Sequence, residues 1–311
     1  MHPYPPGSDR GATAICTQFT TRPHRMRLYW LAVVALCAAA IAPPPAFAQR
    51  AARPAATPRV EFGGTGAVPA RRGIVVSVSS FASDIGAATL ARGGNAVDAA
   101  VATAFALAVT HPSAGNIGGG GFMVVRMASG EATTFDFREK APLSATPTMF
   151  QTADGAIAYA LTDSGWLSPG VPGTVHGMES AHARLGKLPW RSLVLPAAQL
   201  AAQGFPLSRA LAADLNEQLL TTFAPFPSSM AAYGRRDGRA WRAGDRLRLP
   251  DLARTLRAIA DSGARAFYTG WIADSLVQQM RDHGGAITAR DLAEYRAVER
   301  APLRGTYLGN D

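Results

Sequence analysis

Residues 115–142 read GNIGGGGFMVVRMASGEATTFDFREKAP. Four consecutive glycines, Gly118, Gly119, Gly120 and Gly121, stand near the start. A backbone without Cβ atoms lets another segment or a ligand approach closely. The apolar run at 122–127 reads as a buried strand. Ala128, Ser129 and Gly130 form a tight-turn signal, and 133–137 reads as a returning strand that delivers Arg138 at its end. A guanidinium fixed at a strand end grips a planar carboxylate with two parallel hydrogen bonds. Taken alone, Arg138 reads first as a surface arginine paired with Asp136 or Glu139.

The glycines precede a strand, whereas phosphate-binding fingerprints lie between a strand and a helix, and no Gly-Lys-Ser/Thr follows. Close backbone packing is the expected reason for them, not nucleotide binding.

Outward toward the N-terminus, 74–80 (IVVSVSS) is short and β-branched, which predicts a buried strand. Ser83 or Asp84 can cap a helix running to Arg92, and Gly93 with Gly94 ends it. Asn95 caps a second helix over 96–109, nearly all alanine and valine. Val97, Val101, Phe105 and Ala108 share one face, and the small residues elsewhere imply packing on more than one side. Asp98 in its first turn suits the helix dipole, a structural role in preference to a catalytic one. His111, at the helix end before Pro112, reads as a cap or turn residue in preference to an acid–base group, with Thr110 beside it as part of that helix end.

Toward the C-terminus, residues 171–174 (VPGT) open a helix through Leu185, with Gly186 after it. Further helices are expected at 188–203, ended by Gly204, and at 209–220, capped by Ser208. A loop at 221–227 separates these from amphipathic helices at 252–263 and 271–283, the latter with Ile272, Leu276 and Met280 on its core face. A short helix at 291–295 follows Thr288, and 296–307 looks extended, a further strand for the sheet. His176, His182 and His283 are isolated in sequence and no zinc-ligand spacing occurs, so neither a metal nor a cofactor is indicated.

The chain has 311 residues, 48% of them hydrophobic, and a net charge of +9. Its basic residues are mostly scattered arginines, a solvated surface and not a nucleic-acid footprint. At the N-terminus Arg22, Arg25 and Arg27 precede an apolar run at 28–42, then Ala46-Phe47-Ala48. That order predicts a signal peptide over 1–48, cut after Ala48, and a periplasmic or secreted product. The apolar run is short for a membrane anchor and is closed by three prolines, 43–45. Residues 49–72 form an Ala/Pro-rich mobile leader, and 73–311 the folded domain. Cys16 and Cys37 both lie in the removed part, so disulfides and thiolate chemistry are not expected.

Four separated motifs resemble the gamma-glutamyltransferase family of N-terminal nucleophile hydrolases. They are ASDIG at 82–86 with GGNAVDAA at 93–100, the stretch at 115–142, VPGT at 171–174, and ITARDLAEY at 287–295. The resemblance covers nearly all of 74–311, in the family's order. It implies an α+β, Ntn-hydrolase-like αββα sandwich, incomplete here because the small-subunit half is absent. It also implies that Arg138 holds the α-carboxylate of a γ-glutamyl group such as that of glutathione, with Glu139 orienting the guanidinium. The family's precursor cleaves itself, and the new terminal threonine of the small subunit is the nucleophile. That threonine lies beyond Asp311, so no catalytic residue is assigned in this chain, which is expected to be inactive alone and to expose apolar edges. Its expected partner is its own small subunit. An acylase of the glutaryl-cephalosporin type, or a non-catalytic γ-glutamyl-binding homologue, would carry Arg138 equally well.

Overall fold

The computed structural model describes residues 70–309; the expected signal peptide and nearly all of the leader fall outside them. Helix α1 (Ser80–Ala91) leads into α2 (Ala96–Thr110), and the hairpin β1 (Phe122–Arg126) and β2 (Ala132–Asp136) follows. Then come α3 (Tyr159–Asp163), α4 (Thr174–Leu185), α5 (Trp190–Gln203), β3 (Phe205–Pro206), α6 (Arg209–Leu220) and α7 (Pro227–Tyr233). The chain closes with β4 (Arg246–Leu247), α8 (Pro250–Ser262), α9 (Arg265–Tyr268), α10 (Trp271–Asp282), α11 (Ala289–Glu294) and β5 (Val298–Arg300).

The architecture is α+β. One antiparallel sheet, in the order β1-β2-β5, lies beside a helical layer built around α2. Helix α2 is buried on several sides, as its small side chains predict: Val97, Ala99, Val101, Ala102, Phe105, Ala106 and Val109 are all enclosed. It packs on α1 and α5, and α5 packs in turn on α8. Asn95 and Asp98 form a reciprocal capping box at its start. The capped start of α6 by Ser208 also agrees with the sequence, while α11 begins at Ala289, two residues before the expected Asp291, with Thr288 as its cap.

The hairpin register pairs Met123 with Phe135 and Val125 with Thr133. Val125, Thr133 and Phe135 are buried, whereas Phe122 and Val124 lie on the opposite, exposed face. The expectation of a buried β1 is corrected: it is an edge strand with one covered face. The turn matches its prediction, with Gly130 at φ +89° and the Met127 N–H donating to the Glu131 carbonyl at 2.8 Å.

The expected strand at 74–80 is not formed. The segment has no ladder partner among the described residues, and Ile74, Val76 and Val78 are exposed. Its serines turn the chain into α1 instead. The Ser77 hydroxyl bonds the Ser79 carbonyl at 2.8 Å, and Ser79, neither Ser83 nor Asp84, is the N-cap, accepting from the Ala82 N–H. Strand β5 is shorter than the predicted 296–307, because Pro302 lacks a ladder donor and Gly305 weakens the run. Pro227 was expected to end a loop; it opens α7 at a first-turn position, where its missing N–H costs nothing. Helix α5 starts at Trp190, not Leu188.

Candidate functional site

Arg138 stands two residues past β2, where the sheet meets the start of α4. Its main chain is held on both sides. The Arg138 N–H donates to Asp136 Oδ1 at 3.1 Å, and its carbonyl accepts from the Tyr295 hydroxyl at 2.9 Å. Two residues on, Lys140 and Val171 exchange backbone hydrogen bonds of 3.2 and 2.7 Å. The side chain is by contrast 63% exposed, with its Nε 3.3 Å from Glu139 Oε2. Of the two acidic neighbours it therefore pairs with Glu139. Asp136 is engaged elsewhere, accepting from Arg300 Nε at 2.8 Å. That bond, then the Arg138 N–H, holds the Asp136 carboxyl below the usual carboxylate range. Glu139 Oε2 is closed off from water and accepts no aligned hydrogen bond, so its contact with Arg138 is an ion pair.

The glycine loop explains how this corner closes. The Gly119 carbonyl accepts from the N–H groups of Gly173 and Thr174, at 2.7 and 3.0 Å, at the start of α4. Asn116 Oδ1 accepts from the Gly119 N–H at 2.7 Å and from the Thr174 hydroxyl at 2.8 Å. The loop presents a carbonyl, not amides, to the helix N-terminus, which is the opposite of a phosphate cradle. A Cβ on Gly120 would lie 2.6 Å from the Phe137 carbonyl and 2.7 Å from Glu139 Oε2. On Gly173 it would lie 2.0 Å from the Phe137 carbonyl and 2.2 Å from the Tyr295 hydroxyl. Close packing is thus the reason for these glycines, with Gly118, which meets nothing within 4 Å, as the exception.

Behind Arg138 lies an aromatic cluster that the sequence did not disclose. Tyr295 stacks on Tyr268 with centroids 5.7 Å apart, and the His176 ring meets both edge-on. His176 Nδ1 accepts from the Ala297 N–H at 3.3 Å and lies 3.0 Å from the Ser180 hydroxyl. Burial, first of all, pushes the imidazole below its usual range; Arg296 and Lys140 add to this and Glu179 opposes it. Burial, with Asp136 and Glu139 nearby, pushes the Tyr295 phenol up to about 12, so it stays a donor. The spacing of Gly173 and Gly177, one turn apart on α4, was the available signal of a close approach. Tyr295, though it closes the motif at 287–295, carried no sign of its bond, since the partner is 157 residues away.

The other candidates fall apart in space. Asp98 is fully buried and accepts from the N–H groups of Asn95, Lys187 and Leu188, a structural tie. The Thr110 hydroxyl donates to the Ala106 carbonyl at 3.0 Å inside its own helix, and His111 is the C-cap of α2. His182 Nε2 bonds the Leu188 carbonyl at 2.7 Å, while His283 stacks on Trp166.

The gamma-glutamyltranspeptidase family profile matches residues 82–311. A glutathione hydrolase proenzyme of Pseudomonas sp. (strain A14) is 44% identical over 245 residues, which cover 78% of this chain and 42% of that protein. The Escherichia coli (strain K12) glutathione hydrolase proenzyme is 44% identical over 242 residues, with the same two coverages. The chain thus spans less than half the length of these relatives. The crystal structure of Helicobacter pylori gamma-glutamyltranspeptidase superposes with a TM-score of 0.76 at 42% identity, covering 78% of this chain and 69% of that one. The chain belongs to the gamma-glutamyltranspeptidase family.

Proposed function

We propose that this chain is the substrate-carboxylate-binding portion of an enzyme that cleaves γ-glutamyl amides such as glutathione. The enzyme passes the γ-glutamyl group to water or to an amino acid. The acyl group is carried by a threonine located beyond residue 311, freed when a precursor cleaves itself. Arg138 takes the α-carboxylate of the donor through its two parallel N–H groups. The observation that carries this reading is the contrast within one residue: a main chain fixed at both ends and a side chain left open to ligand.

The partner of this chain is its own small subunit, which completes the fold against the exposed apolar residues of β1. Alone, the chain does not turn over substrate. Export to the periplasm or beyond, after a cut near Ala48, fits the order of basic, apolar and small residues at the start of the sequence. The names of the relatives at 44% identity favour glutathione over a glutaryl-cephalosporin substrate.

The test is Arg138→Lys in the full-length precursor. Lysine keeps the charge and loses the fork. KM for a γ-glutamyl anilide should rise at least about tenfold, as for loss of one charged hydrogen bond. An unchanged KM overturns the assignment.

A further inference from the structure

We propose that Tyr295 positions Arg138 for carboxylate binding, with His176 and Tyr268 as the wall that holds the phenol in place. The inference rests on Arg138 being the carboxylate-binding residue. Its basis is a chain of contacts between segments far apart in sequence. The Tyr295 hydroxyl donates to the Arg138 carbonyl at 2.9 Å, the last fixed atom before the exposed guanidinium. Tyr295 is itself nearly fully buried. One ring face stacks on Tyr268, whose hydroxyl donates to the Pro172 carbonyl at 2.8 Å. The Lys140 ammonium lies 5.2 Å from the Tyr295 centroid and donates to the Arg296 carbonyl at 2.9 Å. His176 pins the segment just after it through the Ala297 N–H.

Space for this bond is kept open. Gly173 is the only residue type that lets the phenol oxygen through, because a Cβ there would stand 2.2 Å from it. The strand end is thus gripped from the α4 side and from the α11 side at once. A carbonyl released from Tyr295 would let the peptide after Arg138 rotate. A small rotation at the main chain becomes a larger displacement at the end of the long side chain, and bidentate carboxylate geometry tolerates little of it.

The experiment uses the full-length precursor, with Tyr295→Phe, Tyr268→Phe and Arg138→Lys compared side by side. Two probes are needed: a γ-glutamyl anilide and the same anilide with its α-carboxylate converted to a carboxamide. Tyr295→Phe removes one oxygen and keeps the stacked ring. It should raise KM for the carboxylate probe by about 3- to 10-fold, the weight of one hydrogen bond. It should leave kcat, self-cleavage and KM for the carboxamide nearly unchanged. Tyr268→Phe keeps the stacked ring but frees it from the Pro172 carbonyl, and should raise KM for the carboxylate probe by less than Tyr295→Phe does.

Three results overturn the inference. One is a carboxylate KM unmoved by Tyr295→Phe while Arg138→Lys raises it; the role of Arg138 then stands and the positioning role falls. Another is an equal effect of Tyr295→Phe on both probes, or a failure to mature, which marks a purely structural residue. The third is a KM unmoved by Arg138→Lys, which removes the reading on which the inference rests.

Discussion

The ring of Phe137 lies directly against the backbone of Gly177. A Cβ built on Gly177 would come within 2.1 Å of Phe137 Cγ and 2.3 Å of its Cβ. Real Cβ atoms do not approach so closely, and both contacts are near the main chain of a strand end that cannot swing away. Gly177→Ala should therefore destabilise the chain by about 1–3 kcal/mol or more, as overpacking does. Gly173→Ala should behave likewise, whereas Gly118→Ala, with open space around it, should stay within about 0.5 kcal/mol. Denaturant midpoints of the three variants decide the matter; equal midpoints would remove the packing argument for the glycines.

Asp98 gives a second expectation. Its fully buried carboxylate receives N–H groups from Asn95, Lys187 and Leu188. Asp98→Asn brings an amide donor to a place lined by donors. A loss of about 2–3 kcal/mol is expected, since hydrogen bonds to a charged group are the stronger kind. Thermal or urea unfolding of the variant measures it, and a wild-type midpoint would mean that the tie between α2 and the end of α4 carries no weight.

The His176 imidazole sets the pH dependence near neutrality. Its folded pKa is depressed, chiefly by burial, with Arg296 and Lys140 helping and Glu179 opposing. The unfolded side chain takes a proton below about pH 6.5, and the folded one does so only at lower pH. Acid thus favours the unfolded chain in this window. The contribution is complete above about pH 6.5 and is lost as pH falls through the folded value. Unfolding midpoints recorded from about pH 7 to about pH 5 should fall, and His176→Gln should flatten that slope. Parallel slopes in the two proteins would refute the assignment. Asp136, whose pKa is also lowered, acts in a separate window below about pH 4.

Val124 tests what covers the outer face of the sheet. It is 71% exposed on an edge strand, next to exposed Phe122. Val124→Lys should keep more of the isolated chain in solution, as charge on an edge strand does. If a small subunit covers this face, as proposed, the same change in the full-length precursor should impair maturation. A fully mature and active Val124→Lys precursor would show that nothing apolar covers this face.

Legibility followed the range of the interactions. Helix α2, its Asn95 cap, the Ser208 cap of α6 and the Gly130 turn rest on contacts within a few residues, and the sequence shows them directly. Arg138 was singled out through its motif. The run at 74–80 was misread because a short apolar stretch says that something must cover it and not what does. Tyr295 and His176 were missed since stacking and a tyrosine hydroxyl leave no periodic trace. The bond that fixes Arg138 joins residues 157 positions apart.

The sheet has a consequence for synthesis. Strand β2 forms its local hairpin with β1 early, but its other edge pairs only with β5, and the Thr133 hydroxyl reaches its Glu299 partner across 166 residues. At roughly 5–20 residues per second the ribosome needs about 8 to 33 seconds to deliver that partner. Throughout that interval a nascent chain carries a half-built sheet with an open edge, while the helices between are still emerging. The vulnerable moment for this protein thus falls while the chain is being delivered, by the ribosome or across a membrane, and slow delivery between β2 and β5 would lengthen it.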